Sequence, residues 1–287
     1  MSIFQFFVGI MLLLCWAGRP ILYRPVAKEY QSKLSPAFTS IWLMIGLFLT
    51  FPFLGHLFVN NWQYIIPSYG CLLSVYKGVS LFYLIRLQQI VNRESTSSSV
   101  FLSFISLALG ALVNNLFFGE GLGTIKVLCI LGLGALGTIF FFKGDAKRLH
   151  KKARIAFAID TIIMTTYMVC DHLAIPQIGW YPYLLISSVF MFLTSLAHGI
   201  SKKDFRNIIK NKKIVLAGVF YTVTEFFVIF AFINILPVSI ASVFLRLSVP
   251  VVMIYSAILY KEQSLKNQLV FAITAIALAL PIILIRG

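Results

Sequence analysis

Charge is what this sequence has least of, and acidic charge above all. Only 11% of its 287 residues are Asp, Glu, Lys or Arg, and nine of those are acidic; a soluble domain carries about 25%. With 60% of the chain apolar and a mean hydropathy of +0.92, there is no polar surface with which to stay in water. Cysteine is equally sparse. Cys15, Cys71, Cys129 and Cys170 all fall in apolar runs and form no C-x-x-C pair, which excludes a disulfide framework or zinc site and leaves them as small core residues. The four histidines, His56, His150, His172 and His198, are scattered. No H-E-x-x-H, Gly-x-Ser-x-Gly or nucleotide-binding loop appears, so the chain reads as a non-enzyme with no cofactor and no metal. The N-terminus lacks a basic stretch and a small-residue cleavage site, and reads as a retained first span rather than a signal peptide.

What is present is a series of apolar runs of roughly 20 residues, the length a helix needs to cross a bilayer. They predict ten spans, near residues 3–23, 37–58, 63–87, 97–118, 123–142, 154–173, 180–200, 213–235, 238–260 and 265–285. The gaps are short, so almost nothing is expected to fold outside the membrane, and lipid, which cannot satisfy free backbone groups, leaves helices as the spanning structure. The expected class is an all-α integral membrane protein.

The two halves echo each other. Ser99-Val100-Phe101-Leu102 recurs as Ser242-Val243-Phe244-Leu245, an offset of 143 residues. Each tetrapeptide opens an apolar span that ends in a turn with a glutamate, Gly119-Glu120 and Lys261-Glu262, offset by 142 residues, and a last apolar span follows. This points to a duplication with halves 1–145 and 146–287. Five spans per half is an odd number, so the halves enter the membrane in opposite directions, the inverted-repeat construction of many secondary transporters.

The stretch 242–285, SVFLRLSVPVVMIYSAILYKEQSLKNQLVFAITAIALALPIILI, resembles the end of an EamA-type repeat of the drug/metabolite transporter superfamily, as does 99–142. In that superfamily a helix, a turn containing Gly-Glu and a last helix close each repeat; Gly119-Glu120 matches this, and Lys261-Glu262 keeps the glutamate alone. Pro250 resembles a proline common in the ninth span, and Arg246 resembles the basic residue that phosphate-translocating relatives place there. The resemblance implies a carrier working by alternating access around a central cavity, with a substrate that varies widely among members.

Although the net charge is +15, the basic residues sit in short runs between spans rather than on one soluble face, so no nucleic acid is expected as a partner. They cluster after span one (Arg24, Lys28, Lys33), span five (Lys143, Lys147, Arg148, Lys151, Lys152) and span seven (Lys202, Lys203, Arg206, Lys210, Lys212, Lys213), with fewer after three and nine. The positive-inside rule makes these odd connections cytoplasmic and puts both termini outside; several relatives are drawn with cytoplasmic termini instead.

A charge at mid-bilayer costs about 2.5–3.5 kcal/mol on insertion scales, so one that remains faces a cavity or a partner. Arg19, Arg86 and His198 fall near predicted span ends and read as snorkelling anchors; Asp171 and His172 read as solvated at the opposite edge. Lys77, Asp160, Glu225 and Arg246 are left as candidate substrate-binding or coupling residues. Glu225 and Arg246 come out roughly 15 and 12 Å deep from the connection between spans eight and nine, which predicts a pair, and Lys77 and Asp160 are level enough for a second. Such pairs serve either as structural salt bridges or as a site at the repeat interface. Glu225 or Asp160 could also take up a proton, because burial favours a neutral carboxyl unless a cation is beside it. Trp62, Tyr64 and the run Trp180-Tyr181-Pro182-Tyr183 read as interfacial belts. Gly132, Gly134, Gly137 and the Ala-rich stretch 272–279 suit close helix packing. Glu120 and Glu262 suit helix N-termini.

Two cations and two anions suit an amphoteric solute, such as an amino acid or a base-containing metabolite. The reading is a secondary transporter, multi-pass in the cell's inner (plasma) membrane, driven by the solute gradient or coupled protons. The alternatives are a flippase or accessory subunit for a lipid-linked sugar, or an intramembrane enzyme. The loop charges make one direct forecast: an enzymatic reporter fused after Gly287 is inactive if it works only in the cytoplasm, and an active one reverses the orientation.

Overall fold

The computed structural model describes residues 2–100, 105, 106, 109, 113, 123–143, 149–236, 238–261 and 265–284. Within the helices, residues 140, 141, 143, 167, 168, 172, 232–234, 238–242, 246, 265, 283 and 284 are described by their backbone alone. The regular structure of these residues is helical: α1 (Ile3–Glu29), α2 (Leu34–Leu54), α3 (His56–Val59), α4 (Trp62–Ile65), α5 (Tyr69–Glu94), α6 (Thr124–Lys143), α7 (Lys151–Ile178), α8 (Trp180–Ala197), α9 (Lys202–Lys210), α10 (Lys212–Asn234), α11 (Val238–Tyr260) and α12 (Leu265–Leu284). Seven are long and apolar enough to cross a membrane: α1, α2, α5, α7, α8, α10 and α11. In α6 and α12 the qualifying apolar stretches are shorter, Thr124–Ile139 and Lys266–Ile282. The expected span at 97–118 lies mostly outside the described residues, as do Glu120, Glu262 and Pro237.

Hydropathy locates the middle of each helix, but capping chemistry sets its ends. Ser2 caps α1, its hydroxyl accepting from the Gln5 N–H at 3.1 Å while the Gln5 side chain accepts from the Ser2 N–H at 2.9 Å. That helix runs six residues past the expected end at 23, through Pro20 and Pro25. The third span begins at Tyr69 rather than 63, because Ser68 accepts from the Cys71 N–H at 3.1 Å. It continues to Glu94, carrying buried Gln89 and Asn92 in its last turns. The short gaps, expected to hold almost no folded structure, do hold the nine-residue helix α9. Ser201 and Asp204 form a capping box, with the Asp204 carboxylate accepting from the Ser201 N–H at 3.0 Å. Partial burial pushes that carboxyl up, but the bonds from Ser201 and the charges of Lys33 and Lys203 hold it below the usual range.

The helices pack in an interleaved order. α5 lies against α7 and α8, α10 against α1 and α2, α2 against α8, α11 against α1 and α12, and α6 against α12. Gly132 of α6 faces Leu278 of the Ala-rich α12, as the small residues suggested. The aromatic run that opens α8 is not a belt: Tyr181 and Tyr183 are buried, and the Tyr181 hydroxyl donates to the Leu47 carbonyl at 2.7 Å. Trp62 and Tyr64 are exposed, as expected of interfacial residues.

The basic connections collect at one end of the bundle. There Lys213 pairs with Glu29, Lys33 donates to the Gly199 carbonyl at 2.8 Å, and the His150 N–H donates to Glu94 at 2.9 Å. The Arg24 guanidinium lies 3.9 Å from the centre of the Tyr260 ring at the same end. At the other end Gln5 donates to the Ile235 carbonyl at 3.0 Å.

α5 and α8 cross closely at Gly78. A Cβ there would stand 2.4 Å from the Ser187 carbonyl oxygen and 2.8 Å from the Phe190 Cβ, so α5 and α8 touch backbone to backbone. Gly78→Val must push these helices apart, and a loss of about 1–3 kcal/mol in detergent-solubilised stability is expected, read by thermal unfolding; an unchanged transition places the crossing elsewhere.

Candidate functional site

Arg19 lies ten residues before the end of α1, about 15 Å along the axis, too deep for its head to reach water by extending along the helix. It turns inward instead. Its guanidinium is sandwiched between the rings of Trp16 and Tyr221, 4.0 and 4.2 Å from their centres, and its Nη2 donates to Glu225 Oε1 at 2.8 Å. Tyr221 and Glu225 are four residues apart on α10 and so share a face. On α1 the same spacing brings Tyr23 beside Arg19, where its ring stacks on Tyr221 with centroids 6.4 Å apart and its hydroxyl bonds to Thr39 at 2.8 Å. The side chains of Arg19 and Glu225 are 12% and 18% exposed, so the ion pair is enclosed. Ring faces and a carboxylate both favour the cation, which together offset its removal from water.

A second charged group sits beside it. Lys77 of α5 donates to Asp171 Oδ1 of α7, and the Tyr183 hydroxyl of α8 donates to the same oxygen. The two pairs are close enough to act on each other, Lys77 on Glu225 and Glu225 on Asp171. The result is two cations and two anions among aromatic rings where α1, α5, α7, α8 and α10 meet. Both cations come from the first half of the chain and both anions from the second. Asp160 is separate: it is 0% exposed, and among the described residues neither carboxylate oxygen has a partner within hydrogen-bonding geometry. Its polar neighbour is the Gln88 side chain of α5. Among the described residues no group of three or more His, Cys, Asp or Glu is arranged to hold a metal.

The candidates are thus only partly arranged as expected. Lys77, Asp160 and Glu225 are inside the bundle, but Lys77 pairs with Asp171 and not with Asp160. The carboxylate of Glu225 is held by Arg19; the Arg246 side chain lies outside the described residues. Arg19 and Asp171, expected at solvated or snorkelling positions, are site residues. Both corrections have one cause. With α1 ending at Glu29 rather than 23, and α7 at Ile178 rather than 173, positions expected near a span end are one to two turns further from the helix end. The pattern Trp16, Arg19, Tyr23, which occupies one helical face, carried the signal for Arg19.

Residues 152–284 match the model of the EamA-like transporter family. Over this segment the chain is similar to that family. EamA-like proteins form part of the drug/metabolite transporter superfamily, and the apolar helices agree with a multi-pass membrane transporter. A search of curated proteins gave no match. Asp160, Asp171, Glu225 and Arg246 fall inside the EamA-like segment, whereas Arg19 and Lys77 precede it.

Removing one member of an enclosed ion pair leaves the other uncompensated, a loss of about 3–5 kcal/mol. Glu225→Gln is therefore expected to lower the unfolding temperature sharply, and the double variant Arg19→Met with Glu225→Gln to regain most of it. Thermal unfolding monitored by size-exclusion fluorescence reads both, and a single variant as stable as the wild type removes the pair from the account.

Proposed function

We propose that the protein is a secondary transporter that moves a small amphoteric metabolite, an amino acid or base-containing compound, across the inner (plasma) membrane by alternating access. The observation that carries this is the distribution of charge across the halves. Arg19 and Lys77 meet Glu225 and Asp171 across the boundary between the two parts of the chain. A solute with a carboxylate and an amine can exchange for both partners, its anion on a cation of the first half and its cation on a carboxylate of the second. A purely cationic or anionic solute would leave one kind of buried charge unmatched.

The transporter is built, on this reading, from two inverted five-helix repeats, 1–145 and 146–287, with ten spans and both termini outside. Packing supports the duplication: α5 of the first half lies against α7 and α8 of the second just as α10 of the second lies against α1 and α2 of the first, and α2–α8 and α6–α12 pair like with like. Connectivity supports the tenth crossing. α5 ends at Glu94 on the basic end, where His150 binds it. α6 ends at Lys143, seven residues before His150, and its 20 residues are about 30 Å long, which fits a further crossing between α5 and α6. The gathering of basic residues at one end supports its assignment to the cytoplasm.

The reading is tested by thermal-shift screening of the purified protein against amino acids, nucleobases, quaternary amines and sugar phosphates, followed by uptake of any hit into proteoliposomes. A true ligand at 100 times its Kd adds about 2.7 kcal/mol. Stabilisation and uptake confined to zwitterions and bases are expected; a response to quaternary amines or sugar phosphates alone overturns the amphoteric assignment.

A further inference from the structure

Asp160 is the charge-bearing residue that the paired centre leaves unused. It is fully enclosed on α7, and among the described residues neither oxygen has a partner within hydrogen-bonding geometry. Among the described residues no charged group acts on it from the helices packed there, and α5 contributes the uncharged Gln88. Along α7 itself, Arg154 is six residues earlier, exposed, with its Nε bound to the Leu149 carbonyl at 3.1 Å. Asp171 is eleven residues later and is engaged by Lys77 of α5 and Tyr183 of α8. A carboxylate without counter-charge or donors is far costlier to hold in apolar surroundings than the neutral acid. The pocket therefore fits COOH, whereas Glu225 and Asp171 each have a cation beside them.

A way to the cytoplasmic end is partly built. At the basic end of α1, α5 and α7 lies a cavity of about 470 Å³ lined by Ala27, Gln89, Arg93, Glu94, Lys151 and Lys152. Gln89 adjoins Gln88, and Lys152 is eight residues before Asp160, about 12 Å along the helix. Between cavity and carboxyl lie Val91, Ala153, Ala156 and Phe157, all buried in one apolar cluster. These four make a dry plug.

We propose that Asp160 is a proton-binding site, loaded and unloaded through this cavity when α5 and α7 part at the plug. With the plug shut the acid is neutral. With it open, the carboxyl meets water in a cavity lined by three cations and one anion. That field favours the carboxylate, so the O–H bond breaks and the proton passes to water. Closing needs the proton back, which ties the movement of α5 against α7 to proton uptake. Its use in driving solute rests on the carrier reading; proton binding does not.

Two measurements separate these claims. Dicyclohexylcarbodiimide reacts with protonated carboxyls in apolar surroundings, and its sites on the full-length protein in detergent are mapped by mass spectrometry across a pH series. Asp160 is expected to carry the label at neutral pH and to lose it as pH rises, with Glu225 and Asp171 unlabelled; Asp160→Glu keeps the label and Asp160→Asn loses it. An unlabelled Asp160 at every pH, or label on Glu225 instead, overturns the proposal. In proteoliposomes, accumulation of solute under an imposed pH gradient is expected to vanish in Asp160→Asn, and a wild-type response there also overturns it. Label on Asp160 in a protein that moves no solute leaves the proton site standing and removes the carrier.

Discussion

The ion pair between Arg19 and Glu225 ties the first transmembrane helix to α10, and much of the described bundle follows from the need to make it. Hydrocarbon offers neither donors nor counter-charge, so an arginine two-thirds of the way along α1 must find both inside the protein. Trp16 and Tyr221 close over its faces, and Tyr23 fills the next turn. Once α1 is fixed against α10 in this way, α2 is drawn into the same apolar cluster through Phe38 and Tyr23, and α8 joins through Tyr181. Lys77 and Asp171 repeat the arrangement one helix pair away, pulling α5 onto α7.

These contacts hold the halves of the chain together with groups that a polar ligand can replace. An interface made only of Leu and Phe would be as firm but would give a solute nothing to exchange for. Tyr183 and Thr39 add hydroxyls at the same centre, so a displaced carboxylate or ammonium would still meet a hydrogen-bonding neighbour. Gly78, one residue from Lys77, lets α5 approach α8 closely, and the Lys77 Nζ lies 5.3 Å from the centre of the Tyr183 ring.

Much of this was legible in the sequence because a charge within an apolar run is conspicuous. Lys77, Asp160 and Glu225 stood out for that reason, and all three are inside the bundle. Arg19 and Asp171 did not, since hydropathy averages fade at span ends while helices persist until a cap or a break stops them. The partners were harder still. Depth along a helix can be counted from a sequence, but the direction a side chain faces depends on the neighbours, so Lys77 and Asp160 were level without being adjacent. Helix α9 was readable from Ser201 and Asp204, a capping box passed over because attention to hydrophobic runs discards polar segments.

The balance of the paired centre bears on how the membrane voltage acts on the protein. Each elementary charge moved through the field exchanges about 2.3 kcal/mol per 100 mV. Arg19 with Glu225 and Lys77 with Asp171 are two neutral dipoles, and a rearrangement that carries each pair together displaces no net charge. The resting potential then finds almost no grip on these two pairs. The voltage dependence of a transport cycle would come from the net charge of whatever crosses with it.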